Sequence, residues 1–486
     1  KIDRPAVARL LQSRVAAAAV TAGPPRGKVE TALAEIWAGL LGCPVPHREA
    51  SFFALGGDSL LATRLLGRMR RAGLYGGSLR ELFEHPRLKD FAALLRPGAP
   101  ATATAPLEPD PANRYEPFDP TDVQRAYWLG RSAEFALGAV GSHWYWEFDG
   151  ADVDVDRLER AWNLLIARHE MLRAVFDADG RQRIQQAVPY VTIPVTDGGE
   201  DELAEMRERL SARIPDPGRW PLAAIEAVRQ GDQVRIAFSF DFIVLDALSI
   251  VIVFTELAAL YADPGAALPP LGVSFRDYLL SIAPDPADQD YWADRLAELP
   301  PPPELPLAVD PGQIGTPRFT RREVKIDAEQ WKALRERARE HGVTPASVLA
   351  TAYAEVLAAW SAQPSLTLNL TLFDRRDVHP DIHRILGDFT SLLLVPHRPQ
   401  TGDTVVDLVR GLQERIWDGM EHGSVSAIWV LRELARRTGS PMASMPVVFT
   451  SALGVSDELA GELPFGRQIW GISQTPQVWL DCQVTE

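Results

Sequence analysis

Residues 99–119 read APATATAPLEPDPANRYEPFD, a low-complexity stretch. The Pro, Ala and Thr run has almost no periodic apolar face, which favours an extended, semi-rigid linker. It divides the 486 residues unequally. A block of about 70 residues precedes it, the size of a small domain with a marginal core, and a long block without a comparable break follows. A shorter spacer covers residues 17–26, and we expect no internal repeat of fixed short period.

The small block carries helical spacing throughout. Leu33, Ile36, Trp37 and Leu40 fall on one face over residues 29–41, with Gly42 as a stop. Residues 60–72 place Leu61, Leu65 and Met69 on one stripe, and Ser78 with Glu81 has capping-box spacing before a third helix halted at Pro86. Phe91, Leu94 and Leu95 line a fourth, so four short helices and no strand are expected. The long block mixes both periods. Val234, Ile236, Phe238 and Phe240 alternate as a half-buried strand does, as do Leu366, Leu368, Leu370 and Leu372. Residues 158–173 and 344–360 have helical spacing instead. Strands and helices interleave without the strict alternation of a doubly wound sheet, giving an α+β or mixed-sheet α/β class.

Composition narrows the function. Fifty Lys and Arg against 65 Asp and Glu leave a net charge of −15, with no basic stripe, which argues against nucleic-acid binding. Cys43 and Cys482 cannot build a disulfide framework or a zinc site on their own, and their scarcity fits a reducing, cytoplasmic setting. The longest apolar run, residues 242–254, is interrupted by Asp246 and Ser249, so no membrane span is expected.

Two features carry chemistry. In the first block, Leu55-Gly56-Gly57-Asp58-Ser59-Leu60 puts Ser59 at the first turn of an amphipathic helix, where unpaired amides favour an anion such as a phosphodiester. Asp58 or Ser59 acting as a plain helix cap is the simpler alternative. A Gly-Asp-Ser-Leu hydrolase is excluded, because no His has Asp three residues before it and no strand precedes Ser59. In the second block, strand 234–240 runs into Asp241 and Asp246, which bracket four apolar residues and precede Ser249. Carboxylates beside that much apolar surface must be paired or protonated, and Arg168 and Arg173 are candidate partners.

Residues 29–95, with the LGGDSL core, resemble a peptidyl carrier domain of nonribosomal peptide synthetases. That resemblance implies 4′-phosphopantetheine on Ser59. Lys1-Ile2-Asp3-Arg4 resembles the last motif of an adenylation domain. The spacing Asp-x4-Asp-x2-Ser resembles the core motif of heterocyclization domains, which replaces the His-His-x3-Asp-Gly of ordinary condensation domains, and this chain has no adjacent His pair. Further matches follow in family order: Thr121–Trp128, Arg168–Arg173, Leu370–Arg375, Gly387–Ser391, Pro446–Ser451 and Gln474–Asp481. Asp374 stands where the family more often has Asn, and Cys482 where it often has His.

The resemblance implies four segments: an adenylation tail over 1–16, a carrier domain over 27–97, a linker over 98–114, and a heterocyclization domain over 115–486 whose C-terminal end is expected to be incomplete. It implies a small four-helix carrier and a V-shaped pair of chloramphenicol-acetyltransferase-like halves enclosing a tunnel. The implied reaction joins a carrier-bound acyl thioester to a Cys, Ser or Thr thioester, then cyclodehydrates the amide to a thiazoline or oxazoline. A condensation-only enzyme and a non-catalytic carrier-docking domain are the alternatives. Asp481 and Thr450 carry the implied acid chemistry, and Asp241, Asp246 and Ser249 complete the candidate catalytic set. Implied partners are an upstream adenylation domain, downstream adenylation and carrier domains, a phosphopantetheinyl transferase and thioester-bound substrates.

Overall fold

The computed structural model describes residues 23–57, 59–98, 107–134, 137–439, 444–454 and 462–486, with the side chains of Ser59, Leu60 and Thr63 excepted. The expected adenylation tail and residues 99–106 of the linker lie outside the described residues. The chain separates into two compact units, one of which contains the residues up to Pro106 and the other those from Leu107 to Trp331 and most of the remainder.

In the small unit, α1 (Gly27–Leu41), α2 (Ser59–Arg71), α3 (Leu79–Glu84) and α4 (Leu88–Ala92) bury Leu33, Trp37, Phe52, Leu65 and Phe91 completely. The edge-on contact of Trp37 and Phe52 at 5.1 Å centres this core. The Ser78–Glu81 capping box forms as its spacing requires. The expectation of no strand needs correcting. Gly73, Gly76 and Gly77, all with positive φ, let the chain turn so that β1 (Leu74–Tyr75) pairs antiparallel with β2 (Arg96–Pro97).

The large unit is built on two sheets. After α5 (Asp122–Leu129), β3 (His143–Ala151) and α6 (Val155–Arg168), two short strands β4 (Ala174–Phe176) and β5 (Gln182–Ile184) form a hairpin. There follow β6 (Val195–Asp197), α7 (Glu200–Ser211), β7 (Ala223–Gln230), β8 (Gln233–Asp241), α8 (Ala247–Ala262), α9 (Phe275–Ser281) and α10 (Pro286–Arg295). Next in the chain is α11 (Ala328–Glu340), whose residues from Lys332 onward belong to the first unit. The large unit resumes with α12 (Pro345–Trp360), β9 (Leu366–Phe373), β10 (Thr390–His397), α13 (Val405–Glu421), α14 (Ala427–Thr438), β11 (Val447–Ala452), β12 (Arg467–Gln474) and β13 (Leu480–Thr485). The expected helix over 158–173 ends at Arg168 and passes into a 3-10 turn over Glu170–Arg173.

One sheet runs β12-β3-β8-β7-β6 and the other β10-β9-β11-β13. Strand β12 crosses from the C-terminal half to pair antiparallel with β3 of the N-terminal half. Helix α8 packs on the first sheet through Phe254, which meets Phe148 at 5.2 Å and Phe238 at 5.0 Å. Strands β9, β11 and β13 of the second sheet follow period 2, whereas β10 puts Leu393, Leu394 and Val395 together in one core. Leu368, Leu370, Val447 and Phe449 point into an apolar core with helices α12, α13 and α14, with Cys482 and Val484 packed against it. Their neighbours along each strand point the other way. Among the described residues, no single helix is long and apolar enough to cross a membrane.

Candidate active site

The second face of the β10-β9-β11-β13 sheet forms one wall of a cavity of about 690 Å³. Alternate residues supply that wall: Asn369 and Thr371 from β9, Val448 and Thr450 from β11, Asp481 and Gln483 from β13. The register makes them neighbours, with Thr450 opposite Thr371 on one side and opposite Gln483 on the other. The facing wall comes from Trp144 and Trp146 of β3, Ser473 of β12 and Ile250 of α8.

Asp481 lines this cavity, as do Asp122 and Glu486. Its side chain is exposed to the cavity. The protein around that cavity still shields the carboxyl from bulk water and raises its pKa above the ordinary carboxylate range, against smaller opposing contributions from Gln483 and Thr450. Gln483 Nε2 donates to Asp481 Oδ2 at 2.6 Å and to Ser473 Oγ at 2.8 Å. Thr450 Oγ1 lies 3.5 Å from Asp481 Oδ1 and donates to Thr371 Oγ1 at 2.9 Å. A hydroxyl has one proton to give. Thr450 can therefore donate to an ionised Asp481 or, donating to Thr371 instead, accept from a protonated one. When Asp481 ionises, this chain of contacts can reverse, with Thr371 donating to Thr450 and Thr450 to the carboxylate.

The motif aspartates sit elsewhere. Neither Asp241, Asp246 nor Ser249 lines the cavity. Asp241, at the end of β8, accepts two hydrogen bonds from Arg131 Nη2 at 2.6 and 2.7 Å and one from the Ile243 amide at 3.0 Å. Asp246 caps α8 by accepting from the Ser249 amide at 2.6 Å, and accepts from Arg375 Nη2 at 2.7 Å. Arg375 also donates to Ser249 Oγ, which donates to the Gly387 carbonyl at 2.8 Å and accepts from the Gly387 amide at 3.1 Å. All three motif side chains are buried. The expected partners Arg168 and Arg173 are corrected to Arg131 and Arg375. Arg168 pairs with Glu256, and Arg173 donates to the carbonyls of Ile166, Ala167 and Gln185.

Three cavity residues had no role in the sequence reading. Thr371 completes the hydroxyl chain, Asn369 adds a carboxamide, and Tyr127 of α5 brings a phenol. Burial, reinforced by the negative charges of Asp388, Asp481, Asp241 and Asp246, holds the Tyr127 proton on its oxygen. The strand alternation over 366–373 could have pointed to Asn369 and Thr371, since each is a polar residue on the non-core face.

Helix α2 starts at Ser59. The loop before it is fixed by Gly57, where a Cβ would lie 2.4 Å from the Phe52 ring and 2.8 Å from the Phe52 carbonyl oxygen. This turn into an N-terminus of 13 helical residues suits a phosphodiester on Ser59.

Residues 122–464 match the condensation domain family, and residues 31–95 match the phosphopantetheine attachment site family. The chain belongs to the condensation-domain family of nonribosomal peptide synthetases. Its condensation-family unit is preceded by a phosphopantetheine carrier domain. The chain is 40% identical over 395 residues to pyochelin synthetase PchF of Pseudomonas aeruginosa, covering 78% of this chain and 22% of that protein. It is 38% identical over 462 residues to phenyloxazoline synthase MbtB of Mycobacterium tuberculosis, covering 90% of this chain and 32% of that protein. The chain thus spans a third or less of these relatives. A crystal structure of the EpoB cyclization-docking bidomain of Sorangium cellulosum aligns with a TM-score of 0.74 and 36% identity, covering 88% of this chain and 91% of that one.

Proposed function

We propose that the condensation-family unit forms an amide between a carrier-bound acyl thioester and the amine of a Cys, Ser or Thr thioester, then closes that amide to a thiazoline or oxazoline. The observation that carries this reading is the Asp481–Thr450–Thr371 chain on the cavity wall, an acid raised by the surrounding protein and tied to hydroxyls. The relatives' names, a phenyloxazoline synthase and a cyclization bidomain, support it.

Ring closure adds the acceptor's thiol or hydroxyl across the amide carbonyl and then expels water. Protonated Asp481 gives its proton to the departing hydroxyl, and the resulting carboxylate takes the proton left on nitrogen as the C=N bond forms. The acid is regenerated, and the net loss is one water. Thr450 and Gln483 hold the two carboxyl oxygens through both half-steps. Asp241, Asp246 and Ser249 shape the domain around this site and do not touch the reacting atoms.

Bound on Ser59, 4′-phosphopantetheine supplies the thiol that holds an acyl group as a thioester. The wider assignments follow from this reading. The carrier domain occupies 27–97, the linker 98–114 and the cyclization domain 115–486. The two sheets of the larger unit serve as chloramphenicol-acetyltransferase-like halves in a V. Adenylation domains upstream and downstream, a downstream carrier and a phosphopantetheinyl transferase are the partners, in a cytoplasmic setting.

The test loads Ser59 with a synthetic acyl-pantetheine through a phosphopantetheinyl transferase, adds a cysteinyl-loaded carrier and weighs the product. A product one water lighter than the open amide is expected. An open amide alone would leave a condensation-only enzyme, and no joined product would leave a docking domain.

A further inference from the structure

Residues 107–118 come from the Pro-rich stretch whose composition is that of a linker, yet they lie bound to the large unit. Leu107 and Phe118, at the two ends, are 6% and 2% exposed. Between them the Asp110 amide donates to Asp277 Oδ1 at 3.0 Å, and Arg276 Nη1 donates to Asp110 Oδ2 at 3.2 Å. Arg276 and Asp277 are themselves buried at the start of α9. Arg114 pairs with Glu170, and Arg181 Nη2 donates to the Pro117 carbonyl at 2.7 Å. Phe118 and Gln182 exchange two backbone hydrogen bonds at 2.9 Å each.

The residue types suit this docked course. Pro109, Pro111 and Pro117 bring no amide that needs a partner and have little backbone freedom to lose. Asp110-Pro111-Ala112-Asn113 is a turn sequence, closed by the Asn113 amide on the Asp110 carbonyl at 3.3 Å. Asn113 Nδ2 donates to the Asp110 carboxylate as well. The segment then passes into α5, whose Asp122, Arg125 and Tyr127 line the cavity. Docking also shortens the connection to the carrier domain. From Gly98 to Leu107 a chain reaches about 30 Å at most, whereas from Gly98 to Phe118 it would reach about 70 Å.

We propose that residues 107–118 are a docked strap that sets the length and the starting point of the carrier's tether, so that the thioester on Ser59 meets this cavity at a high effective concentration. None of Asp110, Arg114 and Arg276 lines the cavity. They are positioning residues, acting through the segment they hold. Effective concentration falls roughly as the −3/2 power of tether length, so freeing the strap, which about doubles the tether, lowers delivery about threefold.

This inference rests on the joining of two thioesters proposed above. The experiment compares wild type with Asp110→Ala/Arg114→Ala, which frees the strap. A second variant carries about ten Gly and Ser residues inserted between Ala103 and Thr104, which lengthens the tether and leaves the strap in place. Each is run twice with a cysteinyl carrier, once with the acyl group on Ser59 and once as the unmodified chain with the same acyl group on free pantetheine. Open and cyclized products are counted together. Both variants should lower the tethered rate about threefold and leave the untethered rate unchanged. Limited proteolysis should cut within residues 107–116 in the substituted chain and spare them in wild type. An equal loss with the free donor would reduce the segment to a support of the site and overturn the proposal, as would a tethered rate that holds or rises in either variant. Counting both products keeps the test valid where ring closure fails, whereas a wild type that joins nothing sinks the proposed function itself.

Discussion

Two sets of acids in the large unit meet opposite fates. At the end of β8 and the start of α8, Asp241 and Asp246 are buried and matched to Arg131 and Arg375. On the β13 wall, Asp481 is exposed to the cavity with no cation contributing to its environment, and the desolvation imposed by the surrounding protein holds its proton more tightly. The first pair reads as scaffold, because both carboxylates are held in buried ion pairs and neither lines the cavity. The second reads as machinery. Both sets fall in family motifs, so motif membership does not tell them apart, and the partner in space does.

Stability separates the two sets most sharply. Arg375→Ala leaves Asp246 buried without its cation and should cost about 3–5 kcal/mol, read from denaturant unfolding. Asp481→Asn should change stability by no more than about 1 kcal/mol. A comparable loss in both would erase the distinction. The hydroxyl chain comes next. Thr450→Val should slow ring closure by about 10- to 100-fold with amide formation retained, and Thr371→Val by about tenfold or less, both read from product partition.

The smallest effect concerns Asp388. It is fully buried, accepts from the Thr390 amide at 3.1 Å, and has an unpartnered Oδ2, as does Asp246. Burial, helped by the charge of Asp246, raises its pKa. A raised carboxyl binds more protons in the folded than in the unfolded state, so it costs stability as pH rises through its unfolded value, about 4. Asp388→Asn should therefore gain in melting temperature relative to wild type as pH rises from that point. A difference that shrinks with rising pH would contradict the assignment.

Much of this was legible in the chain because the signals were local. The alternation over 366–372 fixed both the strand and its apolar face, and Ser78 with Glu81 announced its own cap. What was not legible depended on contacts distant in sequence. Arg131 and Arg375 reach their aspartates across 110 and 129 residues, whereas Arg168 and Arg173 were merely closer in the sequence. Strand β12 joins a sheet begun at His143, and nothing in residues 467–474 names that partner. Asp481 and Thr450 came from the family pattern. Their junction through Thr371 came from strand register, which a single sequence does not specify.

The most direct trial of Asp481 is a product-mass assay on holo-protein carrying Asp481→Ala, run beside wild type with a cysteinyl carrier. The open amide should accumulate at nearly the normal rate with the ring absent. Cyclized product at the wild-type level would show that another group expels the water.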